Sequence, residues 1–150
     1  MTRTESTDFS EPGQLAKFMG LPKWQDVDDF SLVERIRTGF PVSTAAIVVE
    51  RIDPEGRFLK VTDVIPKSTL HRRKNQTLTK DESEKVWALA RVIAEVLRLY
   101  HNDREKAAFF MSRRHPLMGG KSPIQLATES IAGADLVLQF LGRAEAGVAA

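Results

Sequence analysis

Residues 79–100, TKDESEKVWALARVIAEVLRLY, carry the clearest helical pattern of the chain. Thr79 and Glu82 form a capping-box pattern, in which the hydroxyl and the carboxylate satisfy each other's free backbone N–H groups. One apolar stripe at helical spacing consists of Val86, Leu89, Ala90, Ile93, Leu97 and Tyr100, and a second of Val92, Val96 and Leu99. A helix with two apolar faces needs cover on both. It therefore links two parts of the protein, lies in a dimer interface, or occupies the centre of one core.

Further helical segments with short breaks precede this helix, and none of them shows a convincing strand alternation. The segment at residues 31–37 ends at Gly39-Phe40-Pro41, a glycine followed by a proline stop. The next opens at Ser43 as its N-cap and ends in the turn DPEG at residues 53–56, although its residues 47–49, IVV, also suit a strand. A third helix is predicted over residues 57–64, and PGQLAKFMGL at residues 12–21 predicts one short helix near the start.

The third helix and the segment KSTLHRRKN, residues 67–75, have the layout of a helix-turn-helix. Residues 67–80 carry five basic and no acidic side chains, whereas the whole chain has a formal net charge of only +2. Such a helix suits the major groove of DNA, with Leu70 pointing inward. The alternative is a solvated basic helix. The candidate DNA-binding residues are Lys67, Ser68, Thr69, His71, Arg72, Arg73 and Lys74.

The C-terminal third is also predicted to be helical, with one helix from Asn102 or Asp103 to about residue 114 and another over residues 130–144. Between them, HPLMGGKSPIQLA at residues 115–127 contains Gly-Lys-Ser, the end of a phosphate-binding P-loop. The P-loop pattern requires glycine where this chain has His115. We interpret Gly119-Gly120 as a turn with positive φ, Ser122 as an N-cap and Pro123 as the first helical residue. This stretch therefore predicts a helix start.

The composition limits the classes of function that the chain can have. With 42% apolar and 28% charged residues it is predicted to be globular, and the absence of cysteine excludes disulfides and thiolate chemistry. Residues 1–10 lack the apolar run of a signal peptide, and the longest apolar run, residues 45–49, is too short to cross a bilayer. We expect a cytoplasmic protein without membrane contact. The three histidines lack metal-ligand spacing and no catalytic motif occurs, so we expect no catalytic residue, metal or cofactor.

Three segments together resemble Xre/MbcA/ParS-type antitoxins, whose toxin-binding domain pairs with RES-domain toxins. They are MGGKSPIQLA at residues 118–127, the terminal FLGRAEAGVAA at residues 140–150, and STLHRRKNQTLTKDESEKVWALARV at residues 68–92. The resemblance extends from about residue 40 to the end. It implies an all-α protein with an N-terminal segment and helix-turn-helix DNA-binding domain at residues 1–78. A connecting helix and a small helical toxin-binding domain would follow at residues 79–150.

The same resemblance implies a function and a set of toxin-binding residues. Members of the family form homodimers, also within larger toxin–antitoxin assemblies, repress their own operon through operator DNA and inhibit a toxin that degrades NAD. Their C-terminal tail reaches into or over the toxin's active-site cleft. This sequence departs from the family at Ala144 and Ala146, where a larger apolar residue and a histidine are common. The toxin-binding residues implied are Gly119, Gly120, Lys121, Ser122, Pro123, Arg143, Gly147, Val148, Ala149 and Ala150.

Three classes of function therefore compete at this point. The first is an antitoxin that binds a RES-domain toxin and operator DNA. The second is a stand-alone helix-turn-helix transcriptional regulator whose C-terminal part dimerises or senses a signal. The third, a nucleotide enzyme, rests on Gly-Lys-Ser alone. A neighbouring gene for a RES-type toxin separates the first two, and nucleotide binding in solution would support the third.

Overall fold

The computed structural model describes residue 9 and residues 11–73 and 76–149, with side chains as far as residue 147. This part of the chain contains helices, turns and two isolated β-bridges, and no strand, which confirms the predicted all-α class. Its α-helices are α1 (Pro12–Phe18), α2 (Asp29–Thr38), α3 (Ser43–Ile52), α4 (Val61–Val64), α5 (Lys67–Arg72), α6 (Lys80–Leu99), α7 (Arg104–Ser112), α8 (Pro123–Glu129) and α9 (Ile131–Ala149).

Helix α6 lies at the centre of one core. It contacts α1, α2 and α3 as well as α7, α8 and α9, so both of its apolar stripes are covered within the same chain. The buried cluster runs without a break from Leu15 in α1 to Leu141 in α9. Of the interpretations that the two stripes allowed, the single core is the one observed. Burial on both faces explains why this one helix stabilises both halves of the molecule.

The predicted starts of α6 and α8 are confirmed. The Glu82 N–H donates to Thr79 Oγ1 at 3.2 Å, and the Thr79 N–H donates to Glu82 Oε1 at 2.8 Å. The Gln125 N–H donates to Ser122 Oγ at 3.2 Å, and Pro123 is the first residue of α8. These contacts involve residues three positions apart, which is why the sequence reveals them.

Two details at helix starts and ends differ from the predictions. Helix α3 does begin at Ser43, but the N-cap is Val42 and no side chain caps this helix. Its residues 47–49 are helical, so the alternative of a strand is wrong. Helix α7, which Asp103 caps, ends at Ser112 rather than near residue 114.

The predicted helix over residues 57–64 is wrong in its first half, because α4 begins only at Val61. The buried carboxylate of Asp53 accepts hydrogen bonds from the N–H groups of Arg57, Phe58 and Leu59 at 3.0, 2.7 and 2.8 Å. These three donors are therefore satisfied by a side chain and hold residues 53–60 as an ordered loop between α3 and α4.

The final helix is longer than predicted, since α9 continues to Ala149 instead of ending near residue 144. Gly133 near its start lies so close to the Leu126 carbonyl that a Cβ there would overlap it, which lets α8 and α9 pack tightly. Further along, Arg98 of α6 forms an ion pair with Glu145 at 3.0 Å. This long-range contact attaches the end of α9 to the central helix.

The predicted short helix near the start is present as α1. Its Leu15 and Ala16 are buried in the common core, and Met19 directly after it is fully buried as well. Within the described residues, no helix has both the length and the apolar composition needed to cross a membrane.

Candidate functional site

The basic helix α5 presents one exposed polar face. Lys67, Ser68, His71 and Arg72 are all exposed, and their spacing in a 3.6-residue helix places them together on that face. Among the residues that the structure describes, neither Lys67 nor Arg72 forms an ion pair. Their charges remain available to an anionic partner. Four of the seven predicted DNA-binding residues thus form one continuous surface.

Two other predicted residues lie on the opposite face of this helix. Thr69 is buried, so the expectation that it is presented to DNA is wrong. Arg73 forms an ion pair with Glu82 at the start of α6, and only about a fifth of each side chain is exposed. Leu70 is half-buried against the core, as predicted. Lys74 lies outside the described residues.

The ion pair between Arg73 and Glu82 gives the arginine a structural role that the sequence did not indicate. Glu82 already caps α6 by accepting from the Thr79 N–H, and the same oxygen receives the Arg73 guanidinium. The pair therefore joins the end of the basic segment to the first turn of the central helix. Its sequence separation of nine residues matches no local pattern.

The glycine loop before α8 is held by its own backbone. The Gly120 N–H donates to the His115 carbonyl and the His115 N–H donates to the Lys121 carbonyl, both at 3.1 Å. Gly119 and Gly120 have positive φ values of 68° and 76° and are exposed. Such φ values favour glycine, as the sequence predicted. The loop is therefore a tight, defined turn.

The other residues of the predicted toxin-binding loop divide into exposed and buried positions. Lys121 is exposed and forms an ion pair with Glu129 at 2.8 Å. Ser122 and Pro123 are buried as the cap and first residue of α8. A partner can reach Gly119, Gly120 and Lys121, whereas Ser122 and Pro123 are buried and fix the start of α8.

Two exposed apolar side chains in the C-terminal part of the chain were not predicted as site residues. Leu117 is 84% exposed and Phe109 is 62% exposed. The guanidinium of Arg113 lies 5.4 Å from the centre of the Phe109 ring. Phe109 also borders an open groove of about 490 Å³ between α7 and the loop at residues 53–58. Large exposed apolar side chains can mark a binding surface. The sequence could not reveal these two, because it does not show which apolar residues remain outside the core.

The end of α9 projects beyond the core. Among the residues of this helix whose side chains are described, Leu141 is the last buried one, and residues 142–147 are all exposed. Arg143 and Gly147 therefore lie on an accessible helical segment. The backbones of Val148 and Ala149 continue α9, their side chains are not described, and Ala150 lies outside the described residues. The predicted tail is thus a helix as far as residue 149.

The residues that the structure describes contain no group of three or more His, Asp or Glu side chains placed to hold a metal ion. The pKa of the Asp53 carboxyl is lowered: burial alone would raise it, but the hydrogen bonds from the Phe58, Arg57 and Leu59 backbones outweigh burial. Asp53 is therefore held as a charged acceptor that shapes the loop before α4.

The exposed basic helix α5 follows α4 after a short turn, which is the layout of a helix-turn-helix, and helices α7, α8 and α9 form a helical C-terminal part on the same core. Residues 31–91 match the Antitoxin Xre-like helix-turn-helix domain, and residues 96–147 match the Antitoxin Xre/MbcA/ParS C-terminal toxin-binding domain. Antitoxin Xre of Yersinia enterocolitica serotype O:8 / biotype 1B is 32% identical over 119 residues, which span 78% of this chain and 80% of that protein. The chain belongs to the Xre/MbcA/ParS family of antitoxins. It is a type II antitoxin with a helix-turn-helix and a toxin-binding domain.

Proposed function

We propose that this antitoxin neutralises a RES-domain toxin that degrades NAD, and that a homodimer binds operator DNA to repress its own operon. We further propose that the protein acts in the cytoplasm without a cofactor or catalytic activity of its own. We also propose that residues 1–78 serve DNA binding and residues 79–150 serve toxin binding.

The observation that carries the toxin-binding proposal is the exposed end of α9 inside the matched toxin-binding domain. Residues 142–147 follow the buried Leu141, are all exposed, and most of them are small. At 1.5 Å per residue, the eight residues from 142 to 149 extend about 12 Å. A narrow helical end of this length suits insertion into an active-site cleft, where it would exclude NAD.

The glycine loop would supply a second contact with the toxin. Gly119 and Gly120 have open space where a Cβ would be, so a partner's backbone can approach closely. Lys121 beside them is half-exposed and charged. The loop and the end of α9 both belong to residues 96–147, the part that matches the toxin-binding family.

The exposed face of α5 supports the operator-binding proposal. Lys67 and Arg72 carry charges without an ion-pair partner in the described structure, and Ser68 and His71 can donate hydrogen bonds beside them. Arginine reads guanine by paired hydrogen bonds in the major groove, and lysine suits phosphate. A homodimer would present two such helices to two half-sites of one operator.

The decisive experiment is co-expression of the chain with the product of the adjacent gene, followed by purification through a tag on the antitoxin. We expect a stable complex in which NAD consumption by the toxin is suppressed and returns when the toxin is released. An adjacent product that binds the antitoxin but does not consume NAD after release would disprove the RES-type activity. Operator binding without any toxin partner would instead support the stand-alone transcriptional regulator.

A further inference from the structure

Helix α2 leaves two large apolar side chains without cover. Phe30 is 87% exposed and Val33 is 67% exposed, although the opposite face of the same helix buries Leu32 and Ile36 in the core. The spacing of three residues places Phe30 and Val33 side by side on the outer face. Neither residue belongs to the segments to which the DNA and toxin contacts are assigned above.

The two ends of α2 carry exposed charges of opposite sign, and the exposed Glu34 lies between them and pairs with Arg37. Asp28 and Asp29 are exposed at its start, and Arg37 is exposed in its last turn. When two copies of such a helix pack antiparallel, the acidic start of each faces the basic end of the other. The two helix dipoles also oppose each other favourably in this arrangement.

We propose that the outer faces of α2 from two copies of this chain pack antiparallel about a twofold axis at Val33. This inference rests on the proposed homodimer and assigns its contact surface. Val33 packs on its own symmetry mate, and Phe30 packs between Val33 and Arg37 of the second copy. Asp29 of each copy faces Arg37 of the other, so the surface is complementary to itself, as a twofold interface requires.

The self-complementary charge pattern favours a second copy over a different protein. An unrelated partner could use the apolar pair alone, and would require no match between the charges of Asp29 and Arg37. Arg37 also pairs with Glu34 on the same helix, so Asp29 of the second copy shares the Arg37 guanidinium with Glu34.

The small size of the surface sets the expected affinity. A helix of ten residues is about 15 Å long, so the contact buries less than the roughly 800 Å² per partner of a standard interface. Self-association of the free protein is therefore weak. Binding to two adjacent half-sites raises the effective concentration and strengthens the dimer on DNA.

The test uses two charge reversals, Asp29→Lys and Arg37→Glu, in the full chain. In a homodimer of either variant, positions 29 and 37 carry like charges at both symmetry-related contacts. We therefore expect the dimer dissociation constant, measured by sedimentation velocity, to rise at least tenfold. An equimolar mixture restores opposite charges at both contacts, so we expect a heterodimer close to the parent in affinity. The matched control is Glu50→Lys, a charge reversal at an exposed position on α3.

The apolar pair gives an independent measurement. Phe30→Ala with Val33→Ala should also weaken the dimer at least tenfold while leaving the thermal unfolding of the monomer unchanged, because both side chains are exposed. If the parent dimerises and these variants dimerise equally well, the interface lies elsewhere and the inference is wrong while the homodimer stands. A parent that stays monomeric both in solution and on the promoter DNA upstream of its gene would overturn the inference and the homodimer together.

Discussion

The Arg98 guanidinium of α6 donates to both carboxylate oxygens of Glu145 in α9, at 3.1 and 3.0 Å. Arg98 also binds Glu95 on its own helix, and the two carboxylates, Glu95 foremost, raise the pKa of the guanidinium further above its ordinary value. The cation is therefore permanently charged. It attaches the exposed end of α9, four residues beyond the buried Leu141, to the central helix of the core.

We expect Glu145→Gln to loosen the end of α9 without unfolding the protein. The pair is partly exposed, so its loss should lower the free energy of unfolding by less than about 1 kcal/mol. Hydrogen exchange at residues 145–149 should become faster and inhibition of the toxin weaker, because the helical end is no longer held in one direction. Arg91→Ala is the matched control, since Arg91 pairs with Asp135 in the packed part of α9. Equal exchange rates in the parent and Glu145→Gln would show that the ion pair does not hold this segment.

Deletion of residues 146–150 should separate toxin inhibition from the other properties of the protein. This segment lies beyond Leu141, so folding, dimerisation and operator binding should stay nearly unchanged. If the partner is the proposed NAD-degrading toxin, its consumption of NAD should persist in the presence of the deleted variant. Full inhibition by this variant would show that the tail is dispensable and that another surface blocks the toxin.

Substitutions on the two faces of α5 should have different effects. Arg72→Ala should reduce operator affinity by on the order of 1–3 kcal/mol if this arginine reads a base, with unchanged thermal stability. Arg73→Ala should lower the free energy of unfolding by about 1–2 kcal/mol, because Glu82 loses a largely buried partner. Fluorescence anisotropy with promoter DNA and thermal melts distinguish the two effects.

The salt dependence of the same titrations reports which cations meet phosphate. The slope of log affinity against log salt should become shallower by about 0.9 for each phosphate that the variant no longer neutralises. If Arg72→Ala and Lys67→Ala both leave affinity and slope unchanged, the exposed face of α5 is not the DNA-binding surface.

Asp53→Asn should destabilise the loop that precedes α4. The two carboxylate oxygens accept three backbone N–H groups, whereas the amide has only one acceptor oxygen. We therefore expect the free energy of unfolding to fall by about 2 kcal/mol at neutral pH. The pKa of Asp53 in the folded state lies below its ordinary value of 3.8. The stabilisation that its charged form provides is therefore complete above pH 3.8, and it is lost as the pH falls through the folded-state pKa. Chemical denaturation should show the difference between parent and variant shrinking below about pH 4. A difference that is constant from pH 7 to pH 2.5 would contradict this account.

Gly133→Ala and Gly142→Ala are a matched pair within α9. A Cβ at Gly133 would overlap the Leu126 carbonyl, so α8 and α9 must move apart, at a cost of roughly 1–3 kcal/mol. A Cβ at Gly142 meets open space, and alanine there should stabilise the helix by about 0.5–1 kcal/mol. Thermal melts that shift in the same direction for both variants would refute the close approach at Gly133.

The sequence by itself determined the features that depend on neighbouring residues. The capping box of Thr79 and Glu82, the cap and proline that start α8, and the positive φ of Gly119 and Gly120 are all contacts or conformations within a few residues. The two stripes of α6 follow from helical periodicity. Because these signals are local, the all-α class and most helix starts could be predicted before any tertiary contact was known.

The tertiary structure alone decided which side chains remain accessible and where two of the helices begin or end. Thr69 faces the core, Arg73 is engaged by Glu82, and Asp53 replaces the predicted first turn of α4 with a loop. Helix α9 continues past residue 144, where Glu145 meets Arg98. Apart from the Asp53 loop, these outcomes depend on contacts between different helices. No regular spacing along the sequence shows which residues will form such contacts. A periodic pattern shows that a helix has an apolar face, but only the folded chain determines what covers that face.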